Sequence, residues 1–236
     1  MDQSGNKRGH QELTFSSTEE ATTLLKWKAT FQNKNNFLLA SWTLSPTGSK
    51  NSSSDEEGSP DACMSCYRVI CFNGCVNRLN ITIAGVIGTL HEFAFSSLPF
   101  LDYVDLSMNQ LSGTIPPEIG LIPPEMGTLI NANSFFASSN KSFGPILAEI
   151  GKMKSLEELS VYENNLSGPI PKIESDLGEL KLLHLYSNQL SGPIPNELEN
   201  LKNLNKLQLS TNQLIGPILP SFGNKLLGGE IPPQLD

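Results

Sequence analysis

Three sets of residues in this 236-residue chain have types and spacings that could do chemistry. Four cysteines, Cys63, Cys66, Cys71 and Cys75, fall within 13 residues in the order C-x2-C-x4-C-x3-C. That spacing superficially suits a zinc knuckle, although the cluster contains no histidine; it also admits free thiols or disulfides, with three possible pairings. The carboxylates Glu157-Glu158, Glu163 and Glu174-Asp176 could pair for acid–base work, but charges at these spacings ordinarily form a solvated face. His10, His91 and His184 are scattered, with no nucleophile or metal partner at motif spacing, so no catalysis and no cofactor is expected. Asn51, Asn80, Asn140 and Asn165 each begin an N-x-S/T sequon, which matters only if the chain enters the secretory pathway. Of these, Asn51 in its polar loop is the most accessible, Asn80 and Asn165 are further candidates, and Asn140 occupies a repeat position expected to be buried.

The chain that must position these groups is acidic and sparsely charged. It carries 24 acidic and 16 basic residues, a net charge of −8, and only 17% of its residues are charged. Such a chain releases no counterions from nucleic acid or an anionic membrane, so neither is an expected partner. No apolar run reaches the ~18 residues of a membrane span. The first thirteen residues lack the apolar core of a signal peptide. A kinase would need a glycine-rich nucleotide loop with HRD and DFG motifs, and none is written here. The composition is instead heavy in 34 Leu, 21 Asn, 19 Gly and 16 Pro, which points to internal repetition.

Self-comparison bears this out. Asn140, Asn164, Asn188 and Asn212 recur every 24 residues. Apolar pairs precede each one, as in Leu159/Val161 and Leu183/Leu185, and Gly144, Gly168, Gly192 or Gly216 follows four residues on. An earlier copy around Asn109 lies 31 residues upstream, the surplus of seven being the duplication IPPEIG-L-IPPEMG over 115–127. The consensus LxxLxxLxLxxNxLxGxIP reads as a short strand on LxL, with alternate side chains inward. An asparagine then turns the chain, its amide placed to bond the backbone of neighbouring coils. The Gly-x-Ile-Pro tail is expected to supply a second extended segment. No repeat can bury its leucines alone, so the copies must stack.

This pattern is that of the leucine-rich repeat, and its SGxIP endings resemble the plant-type repeat of receptor-like kinase ectodomains. The resemblance extends upstream: TEEATTLLKWKATFQ and FLLASW, within residues 18–42, are similar to the amino-terminal cap of those receptors, and VNRLNITIAGVIGTLHEFAFSSLPFLDYVDLSMNQLSGTIPPEIG follows closely. It implies an α/β leucine-rich-repeat solenoid with a helical cap. In that cap Ser17 and Glu20 are expected to form a capping box, with Ala21, Leu24, Leu25, Ala29 and Phe31 on one face. The family's cap disulfide falls on Cys63 and Cys71; Cys66 stands where Trp is usual, Arg68 where Gly is usual, and Cys75 has no counterpart. The expected organisation is a disordered segment 1–17, a cap 18–75 with a polar loop 43–61, a solenoid 76–223 of one cap-adjacent repeat and five full repeats, and an incomplete repeat 224–236.

In a stacked solenoid, the residues between the strand leucines form the concave face. They include Tyr103, Asp105, Phe136, Glu158, Tyr162, Glu163, His184 and Tyr186, with Tyr162 and Tyr186 in one column flanked by Phe136, His184 and Glu163. Exposed aromatics beside acids suit protein contact. Five strands at ~4.8 Å give about 24 Å, room for about seven extended residues. By resemblance, the chain is a recognition module at the extracellular side of the plasma membrane, with no nucleic acid or small-molecule cofactor, whose partner is a peptide or another receptor's ectodomain. Alternatives are a stand-alone co-receptor-like adaptor, a secreted inhibitor of a cell-wall hydrolase, and a non-functional receptor fragment. The last is suggested by Leu147 and Leu219 replacing the repeat Pro, by Ser142 and Ala132 at apolar sites, and by a final repeat lacking its LxxLxLxx half.

Overall fold

The computed structural model describes residues 17–33, 35–43, 61–117, 132–172, 177–220 and 222. Residues 1–16 of the expected disordered segment, almost all of the polar loop with Asn51, the duplicated IPPEIG stretch beyond Pro117, and the incomplete repeat 224–236 lie outside them; Ser17, the last residue of that segment, is helical.

The chain opens with α1 (Ser17–Ala29), acidic in its first turn and basic in its last, which suits the helix dipole. Its buried face is Glu20, Ala21, Leu24 and Trp27, continued by Phe31. This corrects the expected face: Ala29 is exposed and Leu25 half-buried, while Trp27 takes the centre. The Trp27 indole donates to the Thr89 carbonyl at 2.8 Å, and its ring packs 4.4 Å from Phe93. The cap is thereby bonded to the first coil. Trp42 is also buried, its Nε1 donating to the Tyr67 carbonyl at 2.7 Å. Lys28 ties the intervening loop through the Leu39 and Trp42 carbonyls.

The capping box is not formed. Glu20 turns inward rather than back to the helix start, and its Oε2 accepts from the Val76 amide at 2.8 Å. Glu20 is fully buried and its Oε1 has no hydrogen-bond partner. Burial therefore pushes the Glu20 carboxyl above its usual range, against the lowering effect of the Val76 bond and with a small contribution from Asp61.

After a short helix α2 (Ala62–Ser65) the strands follow in order. They are β1 (Val69–Phe72), β2 (Cys75–Asn80), β3 (Ile87–Thr89), β4 (Tyr103–Asp105), β5 (Gln110–Gly113), β6 (Ser134–Phe136) and β7 (Lys141–Gly144). Then come β8 (Glu158–Ser160), β9 (Asn165–Pro169), β10 (Leu182–His184), β11 (Gln189–Pro193), β12 (Lys206–Gln208) and β13 (Gln213–Ile215). Cys63 of α2 is disulfide-bonded to Cys71 of β1, Cα to Cα 5.6 Å, leaving Cys66 buried and Cys75 half-buried as thiols. The bridge takes two of the four sulfurs that a zinc knuckle would need. Closing so short a loop contributes roughly 2.5 kcal/mol.

Among the described residues the strands form two sheets. One has seven strands in the order β1-β2-β4-β6-β8-β10-β12, the other six in the order β13-β11-β9-β7-β5-β3. Strand β1 is antiparallel to β2, and every later neighbour is parallel. The first sheet exceeds the strands of the five full repeats by two, β2 from the cap-adjacent repeat and β1 from the cap. The 31-residue spacing leaves no slip between β4 and β6, where Val104 pairs with Phe135. The second sheet sits earlier than expected. It uses the residues just after each asparagine and ends at or beside the glycine, with Ile and Pro following it. At that end Gly113, Gly144, Gly168 and Gly192 have φ between 79° and 85°, a turn that a Cβ would strain.

Between the sheets lies one apolar core, and along its edge runs a ladder of asparagines. Asn164 is representative: its Nδ2 donates to the carbonyls of Ala137 (3.0 Å), Val161 (3.1 Å) and Tyr162 (3.1 Å), while its Oδ1 accepts from Ser142 N at 3.0 Å. One amide thus joins two coils. Asn109, Asn140, Asn188 and Asn212 repeat the arrangement. The residue before each, from Met108 to Thr211, takes positive φ to aim it inward.

Two predictions follow from these buried polar groups. Asn164→Ala leaves the Ser142 amide without its acceptor inside the core, while the Ala137 carbonyl keeps its Asn140 donor, so chemical denaturation should report a loss of about 1–3 kcal/mol. Exposed Asn205→Ala should stay within ~0.5 kcal/mol. Glu20, raised in the folded state, keeps its proton after the unfolded chain has lost it. Stability should therefore fall as pH rises from ~4.5 through the folded value. Glu20→Gln retains an acceptor for Val76 and removes the charge; thermal melts across pH should show that slope abolished and the variant the more stable near neutrality.

Candidate functional site

The strand residues that alternate with buried leucines present three columns along the first sheet. The column before the first strand apolar residue holds Tyr103, Ser134, Glu158, Leu182 and Lys206; the next holds Asp105, Phe136, Ser160, His184 and Gln208; the third holds Ser107, Ser138, Tyr162, Tyr186 and Ser210. Ser134, Ser138 and Ser160 prove to be buried. The Ser138 and Ser160 hydroxyls bond each other at 3.0 Å, and Ser134 donates to Glu158 at 3.4 Å. They are floor rather than surface.

What stands above that floor is a diagonal of rings. Tyr103 and Phe136 lie 5.6 Å apart on neighbouring strands, in the first and second columns. Two strands further on, Tyr162 and Tyr186 stack in the third column, centroids 4.4 Å apart and planes within 9°. His184 meets both edge-on, at 6.5 Å and 6.2 Å. The expected grouping changes in one respect: the ring contact of Phe136 is with Tyr103, not with the tyrosine stack. Sequence reading missed Arg78, whose guanidinium sits 5.1 Å over the Tyr103 ring and 3.7 Å from Asp102. Its place on β2, beside Tyr103 of β4, could have been found by aligning the cap-adjacent repeat with the others.

Acids line the same face. Asp105 accepts from the Tyr103 hydroxyl at 3.3 Å and from Ser107 N at 3.0 Å. Glu163 accepts from the Ser139 hydroxyl at 2.7 Å and stays exposed. These neighbours shape the phenols: burial first, then Asp105, raises Tyr103. Burial, followed by Tyr162 and Glu163, pushes Tyr186 up to about 12. Both remain neutral donors at any physiological pH. His184 is lowered by burial and secondarily by Lys206, so it is a neutral imidazole near neutrality. The face offers neutral rings, hydroxyls and carboxylates, a set made for contact with apolar and cationic groups. Among the described residues no group of three or more His, Cys, Asp and Glu could hold a metal, and no helix is long and apolar enough to cross a membrane.

The leucine-rich-repeat family model matches residues 100–122, 179–201 and 203–225. Together with the asparagine ladder and the two parallel sheets, that decides the class. The chain carries leucine-rich repeats. Among curated proteins this solenoid is 46% identical over 105 residues to MDIS1-interacting receptor like kinase 2 of Arabidopsis thaliana, a match covering 44% of the chain and 9% of that relative. It therefore spans a small fraction of the curated relative's length. Among solved structures it resembles pollen receptor kinase 3, with 28% identity, TM-score 0.60, and coverage of 75% of this chain and 79% of that one. It also resembles the ectodomain of the Arabidopsis receptor kinase HAESA in complex with an IDA peptide hormone ligand, at 25% identity and TM-score 0.60, over 89% of this chain and 36% of that one. The relatives are plant receptor-like kinases, and the structural neighbours are their leucine-rich-repeat ectodomains.

The electrostatics of the face can be read in solution. His184 should titrate by NMR below the usual histidine value, and Lys206→Ala should move it upward. Because the unfolded chain takes this proton first as pH falls, His184 contributes stability that is lost on acidification through the unfolded value.

Proposed function

We propose that this solenoid is a non-catalytic recognition module, displayed on the extracellular side of a plant cell, whose concave face binds a peptide or an extended segment of a partner ectodomain. The observation that carries the proposal is the Tyr162–Tyr186 stack with His184 against it, a rigid, half-buried aromatic platform with Glu163 at its rim. Rigid aromatics lose little entropy on contact and are enriched where binding energy concentrates. Two further facts support the reading. A structural neighbour is a receptor ectodomain in complex with a peptide hormone. The Cys63–Cys71 bridge suits an oxidising compartment.

The chemistry of the face narrows the ligand. Asp105, Glu158 and Glu163 lie along the ring diagonal, whereas Arg78 and Lys206 stand at its two ends. A ligand with a basic residue flanked by apolar or aromatic ones fits this distribution best. Its approach would be steered by the net charge of −8.

Tyr162→Ala combined with Tyr186→Ala should weaken capture at least ~10-fold, the loss of one binding hot spot. Biolayer interferometry against secreted plant ectodomains and apoplastic peptides would measure it. The melting temperature should drop by only a few degrees, about what loss of one aromatic pair costs. Capture unchanged in the double variant would sink the concave-face reading.

A further inference from the structure

We propose that Asn165 is an N-glycosylation site and that Phe143, its cross-strand neighbour, is a built platform for the first sugar. The proposal rests on the extracellular reading above and concerns a different sheet from the ligand face.

The four sequons are unequal in the fold. Asn140 cannot keep a glycan in the native coil, because its Nδ2, the atom that would carry the sugar, donates to the Leu106, Ala137 and Ser138 carbonyls. Asn80 is half-buried, its Oδ1 accepts from Thr82 N at 3.0 Å, and the sequon hydroxyl of Thr82 is buried. Asn51 lies outside the described residues. Asn165 opens β9 with its side chain exposed on the outer face of the second sheet, and Leu166 beside it is fully buried.

The register of that sheet supplies the second observation. In each step of the ladder, the residue three after one asparagine sits opposite the residue one after the next. Ser112 faces Lys141, Ser167 faces Gln189 and Ser191 faces Gln213. At the step that carries the sequon, the serine is replaced: Phe143 faces Asn165. Phe143 is 53% exposed, so this ring is not there to fill the core. Paired residues on adjacent strands stand ~5 Å apart on one face. That places an aromatic ring beside the amide from which an N-acetylglucosamine would extend, and the apolar face of such a sugar packs on aromatic rings. One unexplained exposed phenylalanine and one exposed sequon thus account for each other.

The chemistry is a group transfer from a lipid-linked oligosaccharide diphosphate. Asn165 Nδ2 attacks the anomeric carbon, the N–C1 bond forms, the C1–O bond to the diphosphate breaks, the lipid diphosphate leaves, and the amide proton passes to solvent. The Ser167 hydroxyl completes the sequon.

The test expresses the protein through the secretory pathway of plant cells. Occupancy is read by mass spectrometry after a peptide N-glycosidase, which leaves aspartate at each modified asparagine. Asn165 should be modified in most molecules, and Asn165→Gln should remove that glycan without impairing secretion. Enzymatic removal of the glycan should lower the melting temperature of the parent protein by about 2–4 °C and leave Phe143→Ala nearly unchanged. Secreted protein with Asn165 unmodified overturns the site; equal shifts in parent and Phe143→Ala overturn the platform. Either failure leaves the tyrosine-stack measurement standing. The extracellular reading is judged separately, by whether the endogenous chain is found in the apoplastic fraction.

Discussion

Everything in this molecule depends on one side-chain amide repeated at each coil. An asparagine has two N–H donors and one carbonyl oxygen, and here all three are spent on backbone, some of it in its own coil and some in the one before. A coil whose strand is only three residues long cannot satisfy its own turn, because its backbone groups point along the solenoid axis into the neighbour. The asparagine closes that account from inside the core, where an unmet group costs ~1–3 kcal/mol. It also sets the coil-to-coil register, since Oδ1 and Nδ2 must find the amide and carbonyls of one particular turn. The columns of the concave face line up because the asparagines do. The stacked tyrosines and the diagonal of rings are therefore consequences of a polar ladder set into the core beneath them.

A ladder needs a first rung. The amino-terminal end meets that need with aromatic bulk: Trp27, Phe31 and Phe93 cover the apolar end of the first coil, and the Trp27 indole bonds that coil's backbone. The β1–β2 hairpin extends the sheet beyond the first repeat, and the Cys63–Cys71 bridge pins it to α2. Glu20 is the costly member of this assembly. It supplies an acceptor to Val76 from inside the core, with one oxygen left unpartnered. The cap gains a specific docking contact there at the cost of a carboxyl that burial makes reluctant to ionise.

Much of this could be read from the residues, and the reasons differ by element. The period, the asparagine position and the alternation of buried leucines were legible because each is a local pattern whose physics is the same in every copy. Tyr162 beside Tyr186 was legible for that reason: equal offsets from consecutive asparagines imply adjacency. The Phe136–Tyr103 contact was harder, because it joins different columns across the 31-residue step. For Glu20 the local signal misleads: S-x-x-E suits a capping box, and only the packing of α1 on β2 turns that carboxylate inward. Trp27 was overlooked among candidate core residues since its importance lies in covering the first coil, a contact 62 residues away in sequence. Gly-x-Ile-Pro looks extended, whereas the glycines take φ near +80° and turn the chain at or beside the end of each strand.

Geometry also limits how such a face can read a ligand. Coils repeat every ~4.8 Å, but an extended chain advances ~3.3 Å per residue, so a peptide laid along the solenoid cannot give one residue to each coil. Recognition must then fall on a few anchors rather than on a continuous register. The rings are distributed accordingly. One cluster, Tyr103 with Phe136, spans β4 and β6; the other, Tyr162 with His184 and Tyr186, spans β8 and β10. Their centres are two strand spacings apart, about 10 Å, which is the span of about three extended residues. Side chains of an extended ligand alternate faces, so two residues an even number of positions apart, about four once the lateral offset is added, could reach both clusters, with the buried Ser138–Ser160 pair between them. The diagonal adds a lateral offset, because the first cluster begins in the first column and the second ends in the third. A ligand must cross the strands obliquely to touch both. That oblique path, fixed by where rings replace serines in otherwise equivalent coils, is what would distinguish one extended segment from another.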